Sequence, residues 1–217
     1  MGNFLGIDAS TQSMTGLVIN TSSAQIIAEE SVNFDEYYAE KYGVENGVLD
    51  AGNGVVHSPP LMWAEALEAL LRQLRESGIN LASIEAVSGS GQQHGTVYLN
   101  QSAAGVLGGL RSDLSLTDQL NGVFSRPTAP VWMDTSTRVQ CDEIETGVGG
   151  RQRLLELTGN TAFERFSGPQ IRKFAQQEPA AYERTTTICL VSSFVASLLA
   201  GRVVPVDAGD GSGTNLM

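Results

Sequence analysis

Two short apolar runs near the start, Leu5-Gly6-Ile7 and Gly16-Leu17-Val18-Ile19, flank a loop of Ser, Thr and Gln. That pattern predicts a strand, a tight turn and a second strand, with Asp8 at the end of the first. Ala24 to Val32 continues as a third strand, and the three together predict an antiparallel meander. The polar stretch from Asn33 to His57 reads as a long surface loop. Ser58-Pro59-Pro60 then reads as an N-cap with proline in the first turn, and Leu67, Leu70, Leu71 and Leu74 recur at helical spacing up to Gly78. Ile84 to Ser88 predicts a short strand leading into Gly89-Ser90-Gly91-Gln92-Gln93-His94-Gly95, and Thr96 to Leu99 another.

Asn100 to Thr128 is rich in Ser, Gly and Asp and reads as an insertion with one helical turn. Ala129 to Met133 returns to a strand that delivers Asp134, after which Thr135 or Ser136 can cap a helix running toward Thr146. Gly149-Gly150 marks a break. Helical patches are expected at Arg151 to Leu157 and Pro169 to Gln177, a strand at Thr186 to Val191, a helix at Ser192 to Leu199 closed by Gly201, and a last strand at Val203 to Val206. A Gly/Asp-rich turn from Asp207 to Thr214 follows. With no internal repeat or low-complexity linker, the pattern predicts one α/β domain. The stop soon after a turn signal reads as an interrupted architecture.

Composition narrows the function classes. The chain has 217 residues, 41% hydrophobic, and a formal charge of −11. No apolar run is long enough to span a membrane, and no basic-then-apolar leader opens the chain, so cytoplasmic residence is the expectation. The acidic balance argues against non-specific nucleic-acid binding, which needs a basic face. A small-molecule partner is expected instead. Cys141 and Cys189 sit in apolar-patterned segments and read as buried thiols in a reducing compartment.

The candidate chemistry begins at the opening loop. Small residues that leave backbone N–H groups and hydroxyls free can cradle phosphates, and a lone Asp at a strand end can hold hydrated magnesium. The same residues also fit an ordinary hairpin with an Asx turn. A polar cluster between two strands, Gln92-Gln93-His94, is a second natural site position.

Set in order, these pieces resemble the FGGY group of sugar kinases, and in particular its xylulokinase branch. Gly6-Ile7-Asp8-Ala9-Ser10-Thr11 resembles the family's first phosphate loop, and Ser88 to Gly95 its sugar-contact strand. Val131-Trp132-Met133-Asp134 with Thr135-Ser136-Thr137 resembles the next strand and helix. Phe163 to Gly168 resembles the loop over the sugar, and Val191 to Phe194 and Asp210 to Thr214 follow in order. Where relatives usually carry Lys and Trp after the sugar loop, this chain carries Gln170 and Lys173.

The resemblance implies a ribonuclease H-like domain of the actin and hexokinase type, a mixed sheet with flanking helices, spanning residues 1–217 as the N-terminal, sugar-binding half. The nucleotide-binding C-terminal domain and its aspartate general base would lie outside this chain, which alone is then close to inactive. The implied reaction transfers the γ-phosphate of ATP, as magnesium complex, to D-xylulose. Sugar and ATP are the implied partners, a homodimer is allowed, and another ketose or polyol remains an open substrate. A binding module that has lost catalysis and a sugar-free actin-like ATPase are the rival readings.

By the same resemblance Asp8 anchors magnesium through water, and Thr11, Gln12 and Ser13 offer donors to the transferred phosphate. Gln93 and His94 contact sugar hydroxyls, and flanking glycines let substrate approach the backbone. Arg165 matches a sugar contact, or else pairs with Glu164 at the surface. Trp132 can stack on the sugar, or else belongs to the core. Asp134 is a helix cap or a supporting residue, or else a ligand, His57 is a surface residue, and Asp207 and Asp210 are turn formers.

Overall fold

In the computed structural model, which describes residues 2–214, the predicted meander forms first. Strand β1 (Asn3–Ala9) pairs antiparallel with β2 (Ser13–Asn20), and β2 with β3 (Gln25–Asn33). The domain span of 1–217 expected above includes Met1 and residues 215–217, which lie outside the described residues. Along β1 and β2 the period of two is visible: Leu5, Ile7, Ala9, Met14 and Val18 are buried, and Asp8 points away from that face.

The stretch expected as a surface loop is ordered structure. Helix α1 (Phe34–Tyr42) is capped by Asn33, whose side chain accepts from the Glu36 N–H, and closed by Gly43 in the left-handed region. A hairpin of β4 (Leu49–Gly52) and β5 (Val55–Ser58) follows. Helix α2 (Pro60–Glu76) has proline in its first turn as expected, but Ser58 does not cap it; its hydroxyl donates to the Gly47 carbonyl at 2.9 Å.

After a 3-10 turn at Leu81–Ser83, β6 (Ile84–Gly91) pairs parallel with β1, completing a mixed sheet in the order β3-β2-β1-β6. The crossover from the meander to β6 runs through α2, which buries Trp63, Leu67, Leu70 and Leu74 against the sheet. Strand β7 (Thr96–Asn100) comes next. The region 100–128 holds two short helices rather than one turn, α3 (Ala103–Gly108) and α4 (Leu116–Leu120).

The strand expected from Ala129 to Met133 is only β8 (Ala129–Pro130), paired with β5. One further rung follows, from the Val131 N–H to the Val56 carbonyl at 3.1 Å, and the chain then turns. Helices α5 (Arg138–Gly147), α6 (Arg151–Thr158), α7 (Ser167–Gln177) and α8 (Pro179–Glu183) follow. Thr137, not Thr135 or Ser136, occupies the cap position of α5, and α8 was not foreseen.

Strand β9 (Thr185–Leu190) pairs with β7, and α9 (Val191–Ala200) ends on Gly201 as expected. No strand forms at Val203 to Val206, and the expected turn at 207–214 is helix α10 (Ala208–Gly213), with Asp207 as its N-cap. Among the described residues no helix is long and apolar enough to cross a membrane. Both cysteines are free and buried, and burial pushes each thiol up to about 11.

The core between α2 and the meander sets stability. Leu70 is fully buried there, so Leu70→Ala should cost about 2–5 kcal/mol in a urea melt; a change below the error of the extrapolation would show that this interface carries little of the fold.

Candidate functional site

Parallel pairing of β1 with β6 sets Asp8 opposite Ser90 and Ala9 opposite Gly91, so both strands end side by side. The turn after β1 and the turn after β6 then open on one hollow of about 340 Å³, lined by Asp8, Thr11, Gln92, Gln93, His94, Trp132 and Arg165, with Ser10 and Gly91. Six of the eight residues singled out from sequence therefore meet in one place. Gln12 and Ser13 do not; they line a neighbouring hollow that shares Ser10, Thr11 and Trp132 with the first.

The first turn is held from several sides. Ser10 bonds Ser13 through both its N–H and its hydroxyl at 3.0 Å, Gln12 donates to the Asn46 amide oxygen at 3.3 Å, and Thr11 Oγ1 accepts from Trp132 Nε1 at 2.9 Å. Trp132 is thus not a core residue: 43% of its surface is exposed, and its indole closes the wall between the two hollows. Asp8 accepts from the Ser90 hydroxyl at 2.6 Å through Oδ1.

The second turn is tight and strained. His94 has φ of 67°, a region disfavoured for a residue with a side chain. Its ring packs 5.3 Å from Phe166, and its Nδ1 is buried without a partner among the described residues. Both polar atoms of the Gln92 carboxamide are buried and have no partner among the described residues either. Gln92 belongs to the polar cluster marked in the sequence, where only Gln93 and His94 were given a role. Buried polar atoms without partners cost about 1–3 kcal/mol each, and these three belong to residues that line the hollow. A side chain at Gly91 would come within 2.9 Å of the Ser192 nitrogen, so β6 can end against α9 only as glycine.

Arg165 does not pair with Glu164. Its guanidinium lies 4.8 Å over the Phe163 ring and makes no ion pair among the described residues, while Glu164 faces Arg138 at 3.7 Å. Behind the cavity, Asp134 is completely buried. It accepts from the N–H groups of Val56 and Ser136 at 3.0 and 2.9 Å and from Gln170 Nε2 at 2.8 Å. It is therefore a buried hydrogen-bond hub, not a helix cap.

His57, expected at the surface, is half-buried beside it, bonded to Thr128 at 2.8 Å with Nε2 3.5 Å from Asp134. Burial alone would raise the carboxyl pKa of Asp134, but His57 and the donors on Ser136 and Gln170 outweigh it and hold the group ionised well below the usual carboxylate range. Asp210, at the other end of the chain, accepts from Ser192.

No protein-family model matches the chain. It is 46% identical over 216 residues to xylulose kinase 2 of Arabidopsis thaliana, covering 99% of this chain and 38% of that protein. It is 41% identical over 214 residues to a probable D-xylulose kinase A of Aspergillus clavatus, covering 98% of this chain and 37% of that one. The chain thus spans under two fifths of the length of these relatives. Among solved structures it superimposes on the xylulose kinase of Rhodospirillum rubrum with a TM-score of 0.74 at 17% identity, covering 99% of this chain and 38% of that one. On the glycerol kinase of Plasmodium falciparum the TM-score is 0.71 at 16% identity, covering 100% and 38%. These matches show the fold, a mixed α/β domain of the kind found in those kinases.

Two outcomes follow from the geometry. Gly47 has φ of 75°, and a Cβ there would sit 2.0 Å from the Thr11 carbonyl oxygen; Gly47→Ala should displace the first turn and shift Trp132 fluorescence. Gly52→Ala, at a similar φ of 77° in open space, should strain the backbone without that shift. His94 is held below 6.5 by burial and, second, by the Arg165 charge. A group depressed in the folded state stabilises while neutral, so its contribution is present above 6.5 and lost as pH falls below it. The melting temperature should fall more steeply below that pH in the parent than in His94→Gln, and equal slopes would show that His94 is not the titrating group.

Proposed function

We propose that this chain, a homologue of xylulose kinases over nearly its whole length, is the sugar-binding domain of an FGGY carbohydrate kinase. The complete enzyme transfers the γ-phosphoryl group of ATP to D-xylulose, giving D-xylulose 5-phosphate. The observation that carries this reading is the single hollow where Gln93, His94 and Arg165 face Asp8 and Thr11. One wall offers an amide, an imidazole and a guanidinium to hydroxyl groups, and the other offers a carboxylate and small residues to a phosphate.

Phosphoryl transfer asks the protein chiefly for positioning and for neutralising charge on the moving group. In this reading Gln93 and His94 orient the sugar, with His94 neutral and able both to donate and to accept. Arg165 holds vicinal hydroxyls with a fixed fork of donors, and Trp132 lays its exposed indole face along the C–H surface of the sugar. Thr11, with Gln12 and Ser13 behind it, presents donors toward the transferred phosphate.

Magnesium fits one place. Among the described residues no group of three or more His, Cys, Asp or Glu could hold a metal alone. Asp8, with one carboxylate oxygen taken by Ser90, suits an ion that keeps most of its waters and arrives with phosphates. Bound there, the ion would neutralise phosphate charge. The proton-accepting carboxylate and the adenosine pocket are assigned to a further domain, whose closure over the hollow would exclude water. Two free thiols fit a reducing compartment, the cytoplasm.

Calorimetry on this chain tests the reading. D-xylulose should bind, and His94→Ala should weaken binding about tenfold or more, as expected for loss of a hydrogen-bonding group that reads a hydroxyl. Unchanged affinity in that variant, or rapid xylulose-dependent ATP hydrolysis by the chain alone, would overturn it.

A further inference from the structure

Two of the cavity residues, Trp132 and Arg165, come from outside the strand ends that build the rest of the hollow, and both are tied to one buried group. Asp134 does not line the cavity. Its N–H donates to the Val131 carbonyl at 2.9 Å, closing a turn whose first corner is Trp132. Its Oδ2 takes the Val56 N–H, and around that bond Val131 N–H donates to the Val56 carbonyl at 3.1 Å and Thr135 N–H to the Gly54 carbonyl at 2.8 Å. The turn is thereby fixed to the β4–β5 hairpin, and the Trp132 indole reaches Thr11.

The other oxygen works in the opposite direction. Oδ1 takes Gln170 Nε2, and the same amide nitrogen donates to the Glu164 carbonyl at 3.1 Å, which also receives the Thr137 hydroxyl. Arg165 is the next residue. Its guanidinium has no ion-pair partner among the described residues, so this carbonyl and the ring of Phe163 are what place it. A buried charge persists only where hydrogen bonds and counter-charges offset its desolvation. Here Lys173 reaches Ser136 at 2.6 Å, and Ser136 in turn donates to Asp134. With donors on both of its oxygens, Asp134 fixes one geometry where an apolar contact would tolerate several.

We infer that Asp134 is a positioning residue, holding Trp132 and Arg165 at a set separation across the cavity through its two oxygens. This rests on the sugar-site reading above. Gln170 and Lys173 are the positions where this chain departs from the residues expected there, and both serve the Asp134 network. An asparagine cannot replace the carboxylate, because it turns an N–H toward one of the two sets of donors.

The chain has two tryptophans, so 5-fluorotryptophan labelling gives two fluorine signals, assigned with Trp132→Phe. Trp63, fully buried, is the internal control. Asp134→Asn should move the Trp132 signal, leave that of Trp63 in place, and weaken D-xylulose binding about tenfold, equivalent to about 1.4 kcal/mol. Gln170→Met should weaken sugar binding similarly without moving Trp132, and the double variant should bind no worse than Asp134→Asn alone. Both signals unmoved, or both moved together, would overturn the inference. If Asp134→Asn does not fold, Gln170→Met decides it, unchanged affinity being the refuting result. A parent that binds no D-xylulose sinks the sugar reading, and the Trp132 signal then decides the positioning role alone.

Discussion

The structure depends on the parallel pairing of β1 with β6. Antiparallel partners end at opposite edges of a sheet, but parallel ones end together, and only that arrangement puts the turns after Ala9 and Gly91 in contact with one hollow. The crossover that parallel pairing demands is α2, and α2 is also the main ballast of the core. Burying Trp63, Leu67, Leu70 and Leu74 against the meander therefore does two things at once: it stabilises the domain and fixes the direction in which β6 runs.

How much of this was legible depends on whether the signal was local. The meander, α2 and the gathering of Asp8, Thr11, Gln93, His94, Trp132 and Arg165 were readable, because strand alternation and leucine spacing are short-range patterns and the motif order did the rest. Helix α1 was not read, although Asn33, Gly43 and the i, i+4, i+8 series Phe34, Tyr38, Tyr42 mark it. Aromatics separated by Asp, Glu and Lys give a weak apolar moment, and the many polar residues suggested a loop. The strand expected at Val203 to Val206 failed for the opposite reason: it looks apolar, but it pairs with no strand among the described residues.

The long-range polar pairs were beyond reach. Nothing near Asp134 in the sequence shows that Val56 and Gln170 will donate to it, nor that His57 will be drawn in beside it. Trp132 is the same kind of case. An indole after a strand is ordinarily packed inside, and here the turn closed by the Asp134 N–H on the Val131 carbonyl carries it outward to Thr11. These contacts decide how the site is built, and they exist only once the sheet has been assembled.

Among the described residues strand β6 is paired along one side only, and most of its residues are exposed. β1, by contrast, lies between two partners. Local opening is easiest where few buried contacts must be broken, so the two halves of the cavity differ in compliance. The half bearing Asp8 and Thr11 is clamped, and the half bearing Gln92 to His94 rides on an edge. A ligand entering between them would be met by a fixed jaw at Asp8 and Thr11 and a yielding one at Gln93 and His94.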